Sequence, residues 1–245
     1  MKRAIMLFCV IISPFISWAV SISMPDSSVY IGSLVDGKFN GDGELTWSNG
    51  DKYIGGFLDG KMNGDGVYIT QTFEYSGNFK NGLFDGEGKI IYTSGLQYIG
   101  SFEKGYMNGK GRILYPNGDL YIGDIVNGIK QGYGFFKFVT EDTYTGYFVA
   151  DQFEGKGVLS YANGSKYNGE FKGGRFNGEG VFTVDGKEYS GQFVNGEFPA
   201  SYYEETSNIL TSKRLFLVLL LISLFINIIL LYYIRGLKKK ECASS

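Results

Sequence analysis

The sequence predicts an all-β protein, an elongated single-layer antiparallel sheet of consecutive β-hairpins, followed by a C-terminal transmembrane α-helix. Three observations predict this fold class. A tyrosine with a glycine two residues later recurs eight times, at intervals of 22 or 23 residues. Within each interval apolar residues recur at every second position, which is the period of a strand. A run of 20 uncharged, mainly apolar residues stands near the C-terminus and has the length of a membrane span.

Composition excludes several other classes of protein. The 245 residues include 37 glycines, 20 phenylalanines, 19 tyrosines and only four prolines. Disordered chains lack aromatic residues, and collagen needs glycine at every third position together with much proline. The chain has no histidine, which excludes His-based catalytic triads and His metal ligands. The sequence also has no GxxxxGK[ST] phosphate loop, and the residues outside the repeats are taken up by a predicted signal, linker and anchor, so we expect a protein that is not an enzyme and holds no metal or cofactor.

Residues 1–21 are predicted to be a secretory signal peptide. Lys2 and Arg3 precede an apolar run, and small residues allow cleavage after Ala19 or after Ser21. The alternative is an uncleaved anchor, because the stretch from Ala4 to Val20 is 17 residues long. Residues 22–29 would then form a short leader before the repeats.

The C-terminal part predicts membrane attachment. Residues 200–214 are predicted to be a linker, residues 215–234 a transmembrane helix, and residues 235–245 a basic tail. Because positive charge follows the helix, the tail is predicted to be cytoplasmic and the repeats extracytoplasmic or lumenal. Ser223 and Asn227 lie four apart on one helix face. They are either a weak helix-pairing site or polar residues that the apolar span tolerates, and the second interpretation is favoured.

The middle of the chain, residues 30–199, is an array of seven full repeats and a partial eighth. When each repeat is numbered from its tyrosine as position 0, glycine occupies position 2 and an apolar residue occupies position 4. Position 9 is Phe or Met except for Lys130, and position 7 is Gly except for Asp151. The repeat-defining tyrosine–glycine pairs, which we expect to be structural, are Tyr30 and Gly32, Tyr53 and Gly55, Tyr75 and Gly77, Tyr98 and Gly100, Tyr121 and Gly123, Tyr144 and Gly146, Tyr167 and Gly169, and Tyr189 and Gly191.

Each repeat is predicted to be two strands of about six residues. Asn-Gly pairs such as Asn49-Gly50 recur between alternating segments and are a strong hairpin signal. Phe73 and Glu141 replace the glycine of this turn, so longer or bent joints are expected there. Glycine weakens the interior of a strand, so we expect the strand glycines to make room for large aromatic rings from neighbouring repeats.

The pattern YxGxFxxGxxxGxGxxxxxxG resembles the MORN (membrane occupation and recognition nexus) repeat over residues 30–199. The resemblance implies a twisted sheet with one aromatic groove, and a protein partner or self-association. Phospholipid binding is an alternative, but 21 acids against 15 bases in the array disfavour an electrostatic mechanism and nucleic-acid binding. Glycan or cell-wall binding by the aromatic face is a further alternative.

A candidate aromatic groove is predicted at position 17 of the repeats. Its members are Trp47, Tyr92, Tyr115, Phe138 and Tyr161. An exposed aromatic row holds a helix or an extended peptide, whereas a row packed between repeats is only structural. Both interpretations stay open from the sequence. The function predicted is that of a membrane-anchored binding or assembly module.

Overall fold

The computed structural model describes residues 19–198 and 222–226. Residues 222–226 are helical, and the rest of the described chain is a succession of strands. The strands are β1 Val20–Ser23, β2 Val29–Val35, β3 Lys38–Thr46, β4 Lys52–Leu58, β5 Lys61–Ile69, β6 Phe73–Lys80, β7 Leu83–Tyr92, β8 Gln97–Glu103, β9 Tyr106–Leu114, β10 Leu120–Val126, β11 Ile129–Lys137, β12 Thr143–Val149, β13 Gln152–Ser160, β14 Lys166–Lys172, β15 Arg175–Val184 and β16 Lys187–Phe193.

All 16 strands form one sheet in chain order, and every pair for which a register is resolved is antiparallel. This confirms the predicted sheet of consecutive hairpins. Strands β2 to β15 are repeats 1 to 7, two strands each, and β16 begins repeat 8. The strands of the repeats have 7 to 10 residues, longer than the predicted six.

Strand β1 was not predicted from the sequence. It lies across the predicted end of the signal peptide and the start of the leader, and it pairs with β2, with Ser21 opposite Ile31. Without β1, the outer N–H and C=O groups of β2 would be an open sheet edge. The array therefore extends ten residues N-terminal to Tyr30, as far as Val20.

The two faces of the sheet differ in burial. The front face carries the position 0 tyrosines and the apolar residues of positions 4, 9 and 15. Tyr30, Tyr53, Tyr75, Tyr98, Tyr121, Tyr144 and Tyr167 are fully buried there. The back face carries positions 1, 14 and 16 and the residue before each tyrosine, and no other strand of the described residues covers it. The core is therefore a single layer of side chains on the front face.

Strand glycines form a line across the front face. Gly43, for example, lies opposite Gly32 on one side and Gly55 on the other. The Tyr30 ring lies over this line, and a Cβ atom added at Gly43 would stand 2.7 Å from Tyr30 Cε2. Room for a ring is thus the reason for these glycines, as predicted. The ring comes from the same repeat, however, and the expectation of a neighbouring repeat's ring was wrong.

The two unusual joints differ from the expectation. At the second repeat, the Thr70 N–H donates to the Phe73 carbonyl over 2.9 Å and β6 begins at Phe73, so that joint is shorter. At the fifth repeat, the Glu141 N–H donates to the Phe138 carbonyl, as Gly50 donates to Trp47 in the first repeat. Glu141 adopts the left-handed φ of 71° in place of glycine.

Several predicted segments lie outside the described residues. They are residues 1–18 of the predicted signal peptide, the linker, the basic tail, and the predicted membrane helix apart from residues 222–226. Ser223 falls in the helical segment and Asn227 lies outside it. Within the described part of the chain, no helix is long and apolar enough to cross a membrane.

Candidate functional site

The front face is a continuous layer of aromatic rings. In four repeats the tyrosine stacks on the phenylalanine of position 9, as in Tyr30 and Phe39, whose ring centroids lie 3.8 Å apart at 14°. Phe57 of repeat 2 meets Tyr30 edge-on at 5.2 Å and its own Tyr53 at 5.1 Å. Edge-to-face and offset stacked geometries are the favoured ones for aromatic pairs. The rings therefore join each repeat to the next.

The tyrosine hydroxyls are structural donors. The Tyr30 hydroxyl donates to the Ser33 carbonyl over 2.9 Å, and the Tyr53 hydroxyl donates to the Gly56 carbonyl over 2.9 Å. Burial, with the Asp42 and Asp65 carboxylates, raises the pKa of Tyr53 to about 12. These phenols are therefore neutral hydrogen-bond donors near pH 7 and are unsuited to acid–base catalysis.

The predicted groove residues of position 17 line the front face and are half-buried. Trp47, Tyr92, Tyr115 and Tyr161 pack against the buried core. Phe138 lies 4.7 Å from the ring of Phe136 in the same repeat. Each of these side chains is therefore partly buried by packing and partly accessible to solvent. Their role as a groove stays a prediction.

Sequence reasoning missed a cavity on the front face at repeat 4. Its volume is about 190 Å³. Repeat 4 alone among the seven full repeats has no aromatic ring at either position 9 or position 15, where it carries Met107 and Ile113. Repeat 2 also has a methionine at position 9, together with Tyr68 at position 15. Met107 lines the cavity whereas Ile113 does not, and the position 15 residue in the lining is Ile90 of repeat 3. The cavity is lined by Phe84, Ile90, Tyr92, Phe102, Gly105, Tyr106, Met107, Asn127 and Gly128.

A buried ion pair lies in the neighbouring repeats of the same face. Lys130 is 8% exposed, and its Nζ atom lies 2.8 Å from Asp151 Oδ1 and donates to the Tyr115 hydroxyl over 3.1 Å. The ammonium also lies 5.4 Å from the centroid of the Tyr115 ring. The two residues that depart from positions 9 and 7 of the repeat are thus partners. These two departures from the repeat pattern occur in adjacent repeats, and that adjacency is the sequence signal that could have predicted the contact.

The charge of the ion pair is maintained by its surroundings. Burial disfavours the Lys130 ammonium, but the Tyr115 hydroxyl and the Asp151 carboxylate outweigh it, so the pKa of Lys130 lies above its ordinary value. Asp151 also accepts the Lys130 backbone N–H over 3.1 Å. Among the described residues, no group of three or more Cys, Asp or Glu side chains is placed to hold a metal ion.

The fold and this face define an open, single-layer array of β-hairpin repeats whose core is one layer of aromatic rings. The chain belongs to the MORN repeat family, which matches at residues 30–52, 53–72, 75–97, 98–120, 121–143, 144–166, 167–187 and 189–198. No curated protein matches the chain.

Two solved structures are similar in part. The Drosophila melanogaster SAS-4 (dCPAP) TCP domain, in complex with a proline-rich motif of Ana2, is 15% identical, with a TM-score of 0.40 over 63% of this chain and 84% of that one. The Danio rerio CPAP TCP10 domain, in complex with a STIL peptide, is 11% identical, with a TM-score of 0.44 over 74% of this chain and 82% of that one. Similarity at this level carries no functional argument.

Proposed function

We propose that this chain is a non-enzymatic protein-binding module whose front face takes one apolar side chain of an extended peptide in the cavity of repeat 4. The observation that carries the proposal is the cavity of about 190 Å³ between the aromatic and aliphatic side chains of the front face. Most small-molecule sites have about 300 to 1,000 Å³, so this volume fits a single large side chain better than a whole ligand.

The surroundings of the cavity favour a peptide. Tyr92 lines the cavity, and Tyr115 is its equivalent in the next repeat. Tyr106 is 61% exposed at the rim. Rigid aromatic side chains are enriched in protein interfaces because they offer a large contact area at low entropic cost. The peptide residues on either side of the inserted side chain would lie along the row of position 17, which contains Tyr92 and Tyr115.

Membrane attachment is a second part of the proposal and is supported by the sequence. The predicted signal peptide, if cleaved after Ala19 so that strand β1 stays intact, and the predicted helix at residues 215–234 would put the array on the extracytoplasmic or lumenal side. Protease treatment of sealed vesicles tests this, with a tag after Ser245. In right-side-out vesicles, whose outer surface is the extracytoplasmic side of the membrane, we expect the protease to cleave the repeats and to leave the tag intact. A protected array would contradict the topology.

Peptide binding is tested by selection from a random phage-displayed peptide library on the full-length chain in detergent. We expect the selected peptides to share one large apolar residue. Met107→Phe should weaken their binding at least about tenfold, because phenylalanine occupies position 9 in other repeats and would fill the cavity. Met62→Phe is the matched control at the same position of repeat 2.

Three results would contradict peptide binding. The first is a library that yields no binder. The second is equal affinity of wild type and Met107→Phe. The third is binding of the full-length chain to anionic vesicles or insoluble polysaccharide in place of peptides, which would support the phospholipid or glycan alternatives.

A further inference from the structure

Four aromatic side chains of position 17 form a continuous row in the middle of the array. Tyr92, Tyr115, Phe138 and Tyr161 occupy this position in repeats 3 to 6, whereas repeat 2 has Thr70 there. All four are half-buried on the front face. Tyr92 also lines the cavity of repeat 4, so this aromatic row begins at the proposed peptide site and leads away from it.

The spacing of the aromatic row follows from the sheet. Each repeat contributes two strands about 4.8 Å apart, so equivalent side chains of successive repeats lie about 9.6 Å apart. Ring contacts agree with this spacing. The Phe136 ring lies 6.0 Å from the Tyr115 ring and 4.7 Å from the Phe138 ring, so these two members of the row are no farther apart than the sum of the two distances.

A polyproline II helix repeats at nearly the same distance. It rises about 3.1 Å per residue with three residues per turn, so every third residue faces the same way at intervals of about 9.3 Å. Over the three intervals of the row the two spacings differ by only about 1 Å in total. A strand repeats its side-chain direction after about 6.7 Å, and two turns of an α-helix, about 10.8 Å, drift by roughly 3.6 Å over the row.

The front face also offers no strand edge to a peptide that lies along the row. Such a peptide crosses the strands β7 to β13, and each of these strands already has a neighbour on both sides. The peptide therefore cannot extend the sheet, and its N–H and C=O groups must bind water or side chains. Polyproline II is the conformation whose backbone is fully solvated and has no internal hydrogen bonds.

Hydroxyl groups of the row can bind the backbone of such a peptide. The Tyr92 hydroxyl has no hydrogen-bond partner among the described residues. The Tyr115 hydroxyl accepts a hydrogen bond from the Lys130 ammonium over 3.1 Å, so its own proton remains available for a further acceptor. Both tyrosines can therefore donate to carbonyl groups of the peptide.

The edge of the row is uncharged. The residues of position 18, next to the row, are exposed and carry no charge, namely Thr93, Pro116, Val139 and Ala162. The Lys130 ammonium beside the row is already paired with Asp151. These surroundings suit an uncharged, apolar peptide.

We propose that the partner of the front face is a peptide in the polyproline II conformation that runs along the aromatic row. The inference rests on the proposed function, because the large apolar residue of this peptide is the anchor that fills the cavity of repeat 4. The residues three, six and nine positions from the anchor then lie on Tyr115, Phe138 and Tyr161. Proline suits these positions because its fixed φ of about −65° orders the chain before it binds and its ring packs on aromatic side chains.

A second phage-displayed library tests the period of three. It places one fixed phenylalanine between two random stretches of about nine residues and is selected on the full-length chain in detergent. We expect proline or another apolar residue to be enriched three, six and nine positions from the phenylalanine, on one side of it. Enrichment at every second position would indicate a strand, enrichment three, four and seven positions away would indicate a helix, and either result would overturn the inference.

Insertions into the tightest selected peptide test its phase. One glycine inserted after the phenylalanine shifts the remaining residues by a third of a turn and should weaken binding about tenfold or more. Three inserted prolines keep the phase and should weaken binding less than about threefold. Fluorescence anisotropy of the labelled peptides measures both affinities. Equal losses for the two insertions would contradict the polyproline II conformation.

Phe138→Ala tests whether the row is the surface that binds. It should weaken the complete peptide about fivefold or more and should not affect a peptide cut before the sixth position from the anchor, because that peptide ends short of Phe138. A merely structural loss would weaken both peptides alike, and that result would overturn the inference. Trp47→Ala is the matched control at position 17 of repeat 1, beyond the gap at Thr70, and should leave both affinities unchanged.

The selected peptides also separate this inference from the proposed function. Peptides that share a large apolar residue and are weakened by Met107→Phe, but lack the period of three, would support binding at the cavity and overturn the polyproline II partner. A library that yields no binder would overturn both.

Discussion

Replacing Asp151 by glycine tests whether the Asp151 carboxylate stabilises the fold by pairing with the buried Lys130 ammonium. Glycine is the residue of the other repeats at this position, and Asp151 has a left-handed φ of 68°. Relieving the strain of this left-handed φ should therefore stabilise the Asp151→Gly variant by about 1 kcal/mol. Against this, the Lys130 side chain, 10% exposed, loses its carboxylate. Removing one partner of a buried pair costs about 3 to 5 kcal/mol, so we expect a net loss of about 2 to 4 kcal/mol.

The double variant separates the two effects. Lys130→Met gives position 9 the residue of repeats 2 and 4, and with Asp151→Gly no buried charge remains. Apolar replacement of a buried pair is commonly neutral or stabilising by about 1 to 4 kcal/mol. We therefore expect the double variant to be at least as stable as wild type, although Asp151→Gly alone is destabilised.

Hydrogen–deuterium exchange of the full-length chain measures these changes locally. Backbone amides of β11 to β13 should exchange faster in Asp151→Gly and should be restored in the double variant. Amides of β2 and β3 are the internal control and should not change. If Asp151→Gly is neutral, or if the double variant is as weak as the single one, the reasoning about a mutually dependent pair is refuted.

Three further predictions concern the repeat architecture. Gly66→Ala should cost about 3 kcal/mol, because its Cβ would stand 2.5 Å from Tyr53 Cε2, whereas Gly64→Ala should cost only about 1 kcal/mol for its φ of +81°, as urea unfolding would measure. Glu141→Gly should raise the melting temperature, since it relieves a left-handed φ of 71° and loses only an exposed ion pair with Lys137; an unchanged or lower value would contradict this. Because burial raises the pKa of Tyr53 to about 12, the stability that its neutral phenol contributes is complete below pH 10 and is lost as the pH rises through 12. The difference between the absorbance titrations of the wild type and of Tyr53→Phe, with circular dichroism to follow folding, would check this, and a difference that titrates near pH 10 in the folded array would contradict it.

The periodic part of the fold was predictable from the sequence because each repeat supplies the same evidence. Tyrosine, glycine and an apolar residue at alternating positions place one face in the core, and Asn-Gly places the turns. Strand β1 was not predictable in this way, because its four residues precede the first tyrosine and resemble the end of a signal peptide. It forms because β2 offers an unpaired edge.

The candidate site was predicted only in part. Position 17 does line the front face, and Tyr92 borders the cavity. The cavity itself is lined by residues of three successive repeats, among them Ile90 of repeat 3, Met107 of repeat 4 and Asn127 of repeat 5, and comparing the repeats one position at a time does not combine them. The ion pair of Lys130 and Asp151 joins different positions of adjacent repeats, and only the register of the strands brings them together.

The most direct test of the account is the ¹³C-methyl NMR spectrum of methionine in the full-length chain, titrated with a peptide from the selection. The chain has only five methionines, so the signals of Met107 and Met62 can be assigned by substitution. We predict that peptide binding shifts the Met107 methyl signal, because that side chain lines the cavity, and leaves Met62 unchanged. A bound peptide that shifts Met62, or that leaves Met107 unmoved, would contradict binding at repeat 4.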